Sequence, residues 1–266
     1  FGDAKTLRND NSSRFGKLID IYFEDMGKIC GAKIQTYLLE KSRVVQQAKE
    51  ERSYHVFYQL CAGADSSLKE CIHLKPGQRH RYLNQSGCLK IDNVDDAGRF
   101  KAMLNAMDIM RSGKEDQDSA FAMLAAILWL GNITFTIFDN ENHASVDDNE
   151  AVDYAAKLLK CSKEHLMQAL STRDIEQTRN IVQKLTYSQA ADSRDALAKA
   201  IYAGLFDWLV DRINKSLEVG KRYASRSITI LDIYGFESFE KNSFEQLCIN
   251  YANEELQQFF NHHMFV

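Results

Sequence analysis

A short hydrophobic run, Ser227 to Leu231 (SITIL), passes directly into Asp232-Ile233-Tyr234-Gly235-Phe236-Glu237, and a helical segment follows to at least Met264. The helix start is marked by Asn242 or Ser243 as cap, with Glu245 or Gln246 as its capping-box partner. A strand, a loop with one glycine and a long helix in series restrict the chain to an α/β arrangement. Elsewhere helix dominates. Phe15–Phe23 (FGKLIDIYF) and Ile29–Leu39 (ICGAKIQTYLL) alternate and carry β-branched residues around a turn-like Glu24–Lys28, which predicts a β-hairpin over 15–39.

From Ser42 to Cys61 the pattern is helical, with Gly63 as a stop, and Pro76, the only proline, sits in a mixed stretch. An amphipathic helix is expected over 95–111, with Phe100, Met103, Leu104, Met107 and Met110 on one side, and another over Ser119–Leu130, ending at Gly131-Asn132. Ile133–Phe138 is β-like, and Asp139–Glu150 reads as a solvated acidic loop. Helices at 151–159 and 163–170 and a polar connection, 171–186, lead to a long helix over Ser193–Leu217 that Gly220 ends. Its stripe is Leu197, Ile201, Leu205, Trp208 and Leu209, widened by Tyr202, Phe206, Val210 and Ile213. The Met and aromatic stripes are core rather than ligand sites.

Composition narrows the function classes. With 266 residues, 45% hydrophobic and 26% charged, the chain can bury a core, which excludes disorder and collagen. Lys and Arg number 33 against 37 Asp and Glu, for a net charge of -4 without a long basic block, so no nucleic-acid partner is expected. The longest apolar run, Phe121–Leu130, is about half of the ~20 residues that span a bilayer, so no transmembrane segment is expected. Six cysteines without a C-x-x-C pair and seven histidines without ligand spacing argue against zinc and imply a reduced, intracellular compartment. Without an initiating Met or a signal sequence, and with an abrupt end at Val266, the chain is expected to be a fragment.

Two loops are chemically dense. Asn9-Asp10-Asn11-Ser12-Ser13-Arg14-Phe15-Gly16 places amides, two hydroxyls and a cation before a strand, groups suited to phosphate oxygens and, through a serine hydroxyl, to Mg²⁺. Asp232 after a strand suits a hydrated Mg²⁺, and the Gly235 amide can approach a phosphate without a side chain in the way. Together they suggest a nucleotide site. Each loop alone could be an ordinary capping turn, and Arg14 and Glu237 could each be a solvated charge.

NDNSSRFGK at 9–17 and DIYGFESF at 232–239 resemble switch I and switch II of a myosin motor. SYHVFYQL at 53–60, RDALAKAIYAGLFDWLV at 194–210 and NYANEELQQFFNHHMF at 250–265 resemble the same head in the same order, so the likeness covers essentially the whole chain. CAGA at 61–64, FAMLAAILWLGN at 121–132 and DNENH at 139–143 are most similar to plant class VIII myosins. The resemblance implies an α/β, P-loop NTPase-type head fragment, helix-rich (the upper 50-kDa-like subdomain) with strands of the central transducer sheet. It divides 1–266 into switch I (9–16), a β-hairpin (15–39), a helical upper subdomain (42–220), switch II (232–237) and a relay helix (243–266).

Residue by residue, the resemblance implies that Ser13 ligates Mg²⁺, Ser12 helps place the attacking water and Asn9 contacts the nucleotide phosphates. Asp232 would hold the metal through water, Gly235 would donate its amide to the γ-phosphate, and Arg14 and Glu237 would form the ion pair that closes the site. Such phosphoryl transfer works by positioning and charge stabilisation. A rigid helix joined to a phosphate-sensing loop can enlarge a small displacement at Gly235, and loop states that bind phosphate differently supply the bias. Residues 172–186 would face actin.

The implied cofactors are ATP and Mg²⁺, the partners actin filaments and light chains or calmodulin on an absent neck, and the location the cytoplasm and cytoskeleton. Every Gly-Lys, at 16, 27, 113 and 220, is followed by Leu, Ile, Glu or Arg, so no phosphate loop G-x-x-x-x-G-K-[ST] is present. With that loop, the converter, the neck and the tail absent, the fragment alone is expected to be inactive. Sixteen residues before Asp195 stands Arg179, where such motors commonly carry an acidic or phosphorylatable residue; either the alignment slips by one to Thr178 or the filament contact is differently charged. Two alternatives are a kinesin-type motor, whose switches share N-x-x-S-S-R but not Phe15-Gly16 or the Ile233–Glu237 text, and a non-catalytic actin-binding scaffold.

Overall fold

The computed structural model describes residues 1–174, 182–218, 225–240 and 242–265. The chain divides into two compact units, one of Phe1, Asp3–Asp10 and Lys41–Asp207, the other of Gly2, Asn11–Glu40 and Trp208–Val266. No helix among the described residues is long and apolar enough to cross a membrane.

The larger unit is built around the helix Lys114–Asn132, whose residues from Leu124 through Gly131 are all buried. That helix is apolar all round in its second half, so it needs neighbours on every side. The helix Glu150–Leu159 and the short helix Arg81–Asn84 pack on it. It begins five residues before Ser119, where Glu115 and Asp116 in the first turn favour a helix N-terminus. Trp129 packs on Tyr154 at 4.8 Å and donates its indole N–H to the His73 carbonyl at 3.2 Å.

Gly63 is the last residue of its helix and Gly131 the next to last of the helix that ends at Asn132, as expected, and both also lie at close approaches. A Cβ on Gly131 would come within 2.6 Å of the Tyr82 ring, and one on Gly63 within 2.5 Å of Phe100. The expected helix over 42–61 is confined to His55–Gly63, preceded by a single 3-10 turn at Lys41–Val44. Buried Arg43 donates to Glu51 at 3.1 Å and to the Arg52 carbonyl at 3.2 Å, holding the segment between them irregular.

The long helix spans Tyr187–Leu217 and its buried face in this unit is Ala190, Arg194, Ala198, Tyr202, Leu205 and Phe206, of which Tyr202, Leu205 and Phe206 belong to the expected apolar set and the other three do not. Leu197 and Ile201 are only half-buried. The Tyr202 ring stacks on Tyr54 at 4.7 Å. Buried Arg194 donates to the Ile133 carbonyl at 2.9 Å and pairs with Asp195 at 2.7 Å, so a cation occupies a face that periodicity would assign to aliphatic residues.

The acidic segment 139–150 is not wholly loop. Ala144–Val146 pairs antiparallel with Phe135–Ile137, and the hydroxyls of Thr134 and Thr136 both donate to Asp147 at 2.6 Å. In the polar connection, Thr172–Asp174 pairs with Val182–Lys184. Thr178, Arg179 and Gly220 lie outside the described residues.

In the smaller unit, the strands Gly16–Phe23 and Ile29–Tyr37 form the hairpin, and Arg226–Asp232 pairs on the far side of the first, all antiparallel. Gly27, at φ +77°, supplies the turn conformation that L side chains rarely adopt. The outer hairpin strand is capped at its middle by Asn214, whose amide accepts from Ile34 N–H at 2.7 Å and donates to Ile34 C=O at 2.8 Å. Arg226–Asp232 is exposed along its whole length, Ile228 and Leu231 included. The last helix, Phe244–Phe265, starts on a capping box in which Ser243 N–H donates to Gln246 Oε1 at 2.8 Å and the Ser243 hydroxyl accepts from Glu245 N–H at 3.2 Å.

His80 lies fully buried with its ring edge-on to Trp129, and burial pulls its pKa down to about 4. The unfolded chain takes up this proton near pH 6.5 while the folded one refuses it until about 4, so stability is present above 6.5 and declines as pH falls toward 4. Melting curves of the purified protein between pH 7.5 and 4.5 will show this decline, and His80→Gln will flatten it. Gly131→Ala will lower stability by about 1–3 kcal/mol in the same assay through the Tyr82 clash. Gly204→Ala, at an open position within the long helix, will raise it by up to about 1 kcal/mol.

Candidate functional site

The sheet register of the smaller unit determines which residues meet. Gly16 pairs with Tyr37 and Lys17 with Asp232, so the residues just before 16, just after 37 and just after 232 emerge at one end of the three strands. Arg14, Glu40 and the loop 233–237 occupy that end. Gly16 admits the loop closely, since a Cβ there would stand 3.0 Å from the Ile233 side chain.

Arg14 is the centre of the arrangement and its side chain is completely buried. Its Nη1 and Nη2 donate to Glu237 Oε1 and Oε2 at 2.5 and 2.8 Å, a bidentate pair. Its Nε donates to Glu40 Oε2 at 2.7 Å, and Nη1 also reaches the Ser12 hydroxyl at 3.0 Å. The backbone is fixed as well: Arg14 N–H donates to Gly2 C=O at 2.8 Å, and Glu40 N–H to Arg14 C=O at 2.9 Å. Burial pulls the guanidinium pKa down, but the hydrogen bonds and charges of Glu237 and Glu40 outweigh it and raise it above the ordinary arginine value, so the cation is permanent.

The loop is bound to the last helix by two asparagines. The Asn250 amide accepts from Glu237 N–H at 2.8 Å and donates to Glu237 C=O at 2.7 Å, while Asn253 donates to Tyr234 C=O at 2.9 Å. The Tyr234 hydroxyl donates to Leu38 C=O at 2.8 Å, and burial raises its pKa so that it stays a donor. Gln246 Nε2 donates to Glu40 Oε1 at 3.3 Å, which links the first turn of the last helix to the ionic cluster.

Of the residues expected to act, Ser12, Ser13, Arg14, Asp232, Gly235 and Glu237 all belong to this unit, and Ser12, Arg14 and Glu237 are in direct contact. Asp232 is exposed and its Oδ2 receives Lys17 Nζ at 2.5 Å. Gly235 is exposed with open space around its Cα, leaving its amide approachable. Asn9 belongs to the larger unit, in a turn where Thr6 N–H donates to its carbonyl at 2.9 Å and its own N–H donates to the Thr6 hydroxyl at 3.1 Å. Sequence reasoning missed Glu40, Gln246, Asn250 and Asn253. The signal for Glu40 was the hairpin itself, whose register carries residues 14 and 40 to the same end.

The chain belongs to the myosin head (motor domain) family, which its sequence matches over residues 1–266. It is 64% identical over 266 residues to Myosin-3 of Arabidopsis thaliana, all of this chain against 23% of that protein. It is 63% identical to Myosin-1 of the same plant, again over the whole chain and 23% of the relative, and 46% identical to the Myosin-J heavy chain of Dictyostelium discoideum, over the whole chain and 12% of the relative. The chain thus spans about a quarter or less of the relatives it matches. The kinesin-type alternative is set aside by this membership.

Asn250→Ala will strip both hydrogen bonds from the Glu237 backbone, leaving a part-buried N–H and C=O to find new partners. An expected loss of about 1–3 kcal/mol, seen in denaturant unfolding, should exceed that of Gln257→Ala, whose amide only reaches Asn261 on the exposed surface.

Proposed function

We propose that the full-length protein is an actin-based motor that couples Mg-ATP hydrolysis to movement, and that this chain supplies the phosphate-responsive loops and the helix that follows them. The observation that carries this reading is the bidentate, buried Arg14–Glu237 pair, held on one side by a hairpin and on the other by a loop hydrogen-bonded to a long helix. Joining two loops through a desolvated ion pair gives a closure that is either made or broken, which is what a phosphate-gated switch needs.

The residues divide into roles. The Gly235 amide would bind a phosphate oxygen, and the Ser12 hydroxyl, already oriented by Arg14, would help place the attacking water. Arg14 and Glu237 would close the site and exclude bulk water. Among the described residues no group of three or more His, Cys, Asp or Glu side chains forms a metal cage. Mg²⁺ needs none, because it keeps waters and phosphate oxygens in most of its octahedral shell. Ser13 and Asp232, both hard oxygen donors, fit the one or two protein positions that remain, Asp232 acting through water. Bound there, the ion would offset charge on the transferring phosphoryl group.

Pulling on Gly235 through the loop would load Asn250 and Asn253 and so the last helix. The segment 172–186 would contribute to the actin contact, light chains or calmodulin would bind a neck outside this chain, and the motor would act in the cytoplasm on the cytoskeleton.

Actin-activated phosphate release by the full-length protein tests the reading. Arg14→Glu and Glu237→Arg will each abolish it, and the double exchange will restore part of it. Recovery stays partial because a carboxylate at position 14 faces Glu40. Full activity in both single variants contradicts the assigned closure, and a wild-type protein that binds filaments without ATP turnover supports the scaffold alternative instead.

A further inference from the structure

We infer that Glu40 is a positioning residue for the Arg14–Glu237 closure: it is the counter-ion that Arg14 retains when the 232–237 loop opens, and it sets how readily that loop lets go. The inference rests on the reading of the two loops as a phosphate-gated closure.

Arg14 divides its donors by edge. Nε points to Glu40 at 2.7 Å, and the two terminal nitrogens form a fork on Glu237. The two carboxylates have different anchorage. Glu40 is tied to Arg14 just beyond the open end of the hairpin, since its N–H donates to the Arg14 carbonyl at 2.9 Å, a contact that does not involve the 232–237 loop. Glu237 arrives on the loop after the third strand, and its backbone is held by Asn250. Glu40 is only 7% exposed and Arg14 not at all, so water can replace neither partner.

Two effects of this arrangement have the same sign. In the closed form, two carboxylates flank one guanidinium, and their mutual repulsion weakens the grip of Glu237. In the open form, Glu40 prevents Arg14 from becoming a buried cation with no carboxylate, a state that is strongly disfavoured. Glu40 therefore shifts the balance toward opening. A residue that merely supported the fold would do the reverse, and its loss would loosen the loop. The remaining oxygen of Glu40 accepts from Gln246, whose other end caps Ser243, so the first turn of the last helix is hydrogen-bonded to the retained pair rather than to the one that breaks.

The test is amide hydrogen exchange in the peptide spanning 232–240 of the full-length protein, read without nucleotide. Glu40→Gln removes the charge at nearly constant volume and should slow exchange there roughly tenfold, while slowing phosphate release after a preserved hydrolysis burst. Glu40→Asp keeps the carboxylate but withdraws it by one methylene, and should shift exchange in the same direction by a smaller factor. It decides the question alone if Glu40→Gln does not fold. Unchanged or faster exchange in either folded variant overturns the proposal. A wild-type protein without ATP turnover would sink the motor reading, yet the exchange result would still decide the role of Glu40.

Discussion

A guanidinium withdrawn from water has to keep its carboxylates, and the smaller unit is organised around that requirement at Arg14. The antiparallel register delivers residues 14, 40 and 233–237 to one end of the sheet, and the buried cation then binds two of the chain segments that meet there. A buried ion pair contributes little net stability once desolvation is counted, but breaking it is costly. Such a contact is better suited to defining two distinct states than to strengthening one. The hydrogen bonds from Asn250 and Asn253 make the last helix part of whichever state is occupied.

The larger unit uses the same chemistry for a static purpose. Arg52, fully buried, donates from Nη2 to both Asp96 carboxylate oxygens at 3.1 Å and lies over the Tyr58 ring at 3.8 Å, while Arg194 joins Asp195 and the Ile133 carbonyl. Each of these carboxylates belongs to a helix of the same unit, Asp96 at the start of one and Asp195 within the long one. Arg194 sits beside its partner in sequence, and Arg52 meets the first residue of a packed helix. Arg14 differs because neither of its carboxylate partners belongs to a helix, and one of them, Glu237, comes from the loop after the third strand.

Much of this was legible in the sequence. The hairpin turn, the capping box at Ser243 and the helices at 96–109, 150–159 and 163–171 follow from alternation, capping residues and apolar spacing, which are local properties. What escaped was determined at a distance. The long helix buries Arg194, whose guanidinium donates to the distant Ile133 carbonyl, and Gly63 and Gly131, besides standing at the ends of their helices as expected, serve close packing against Phe100 and Tyr82. In the site, the pairing of Arg14 with Glu237 came from family resemblance rather than spacing. Glu40 and the two asparagines were invisible because their roles depend on register and on a helix face.

The central claim is that closure at Arg14–Glu237 and the position of the last helix are one event. Spin labels placed at Met26, on the exposed hairpin turn, and at His263, near the end of that helix, would report it directly by pulsed dipolar spectroscopy on the full-length protein. The account predicts a distance distribution that shifts when a phosphate transition-state analogue binds with Mg-ADP, and a shift that disappears in Glu237→Ala. Identical distributions with and without the analogue, or a shift that survives loss of the Glu237 carboxylate, would contradict it.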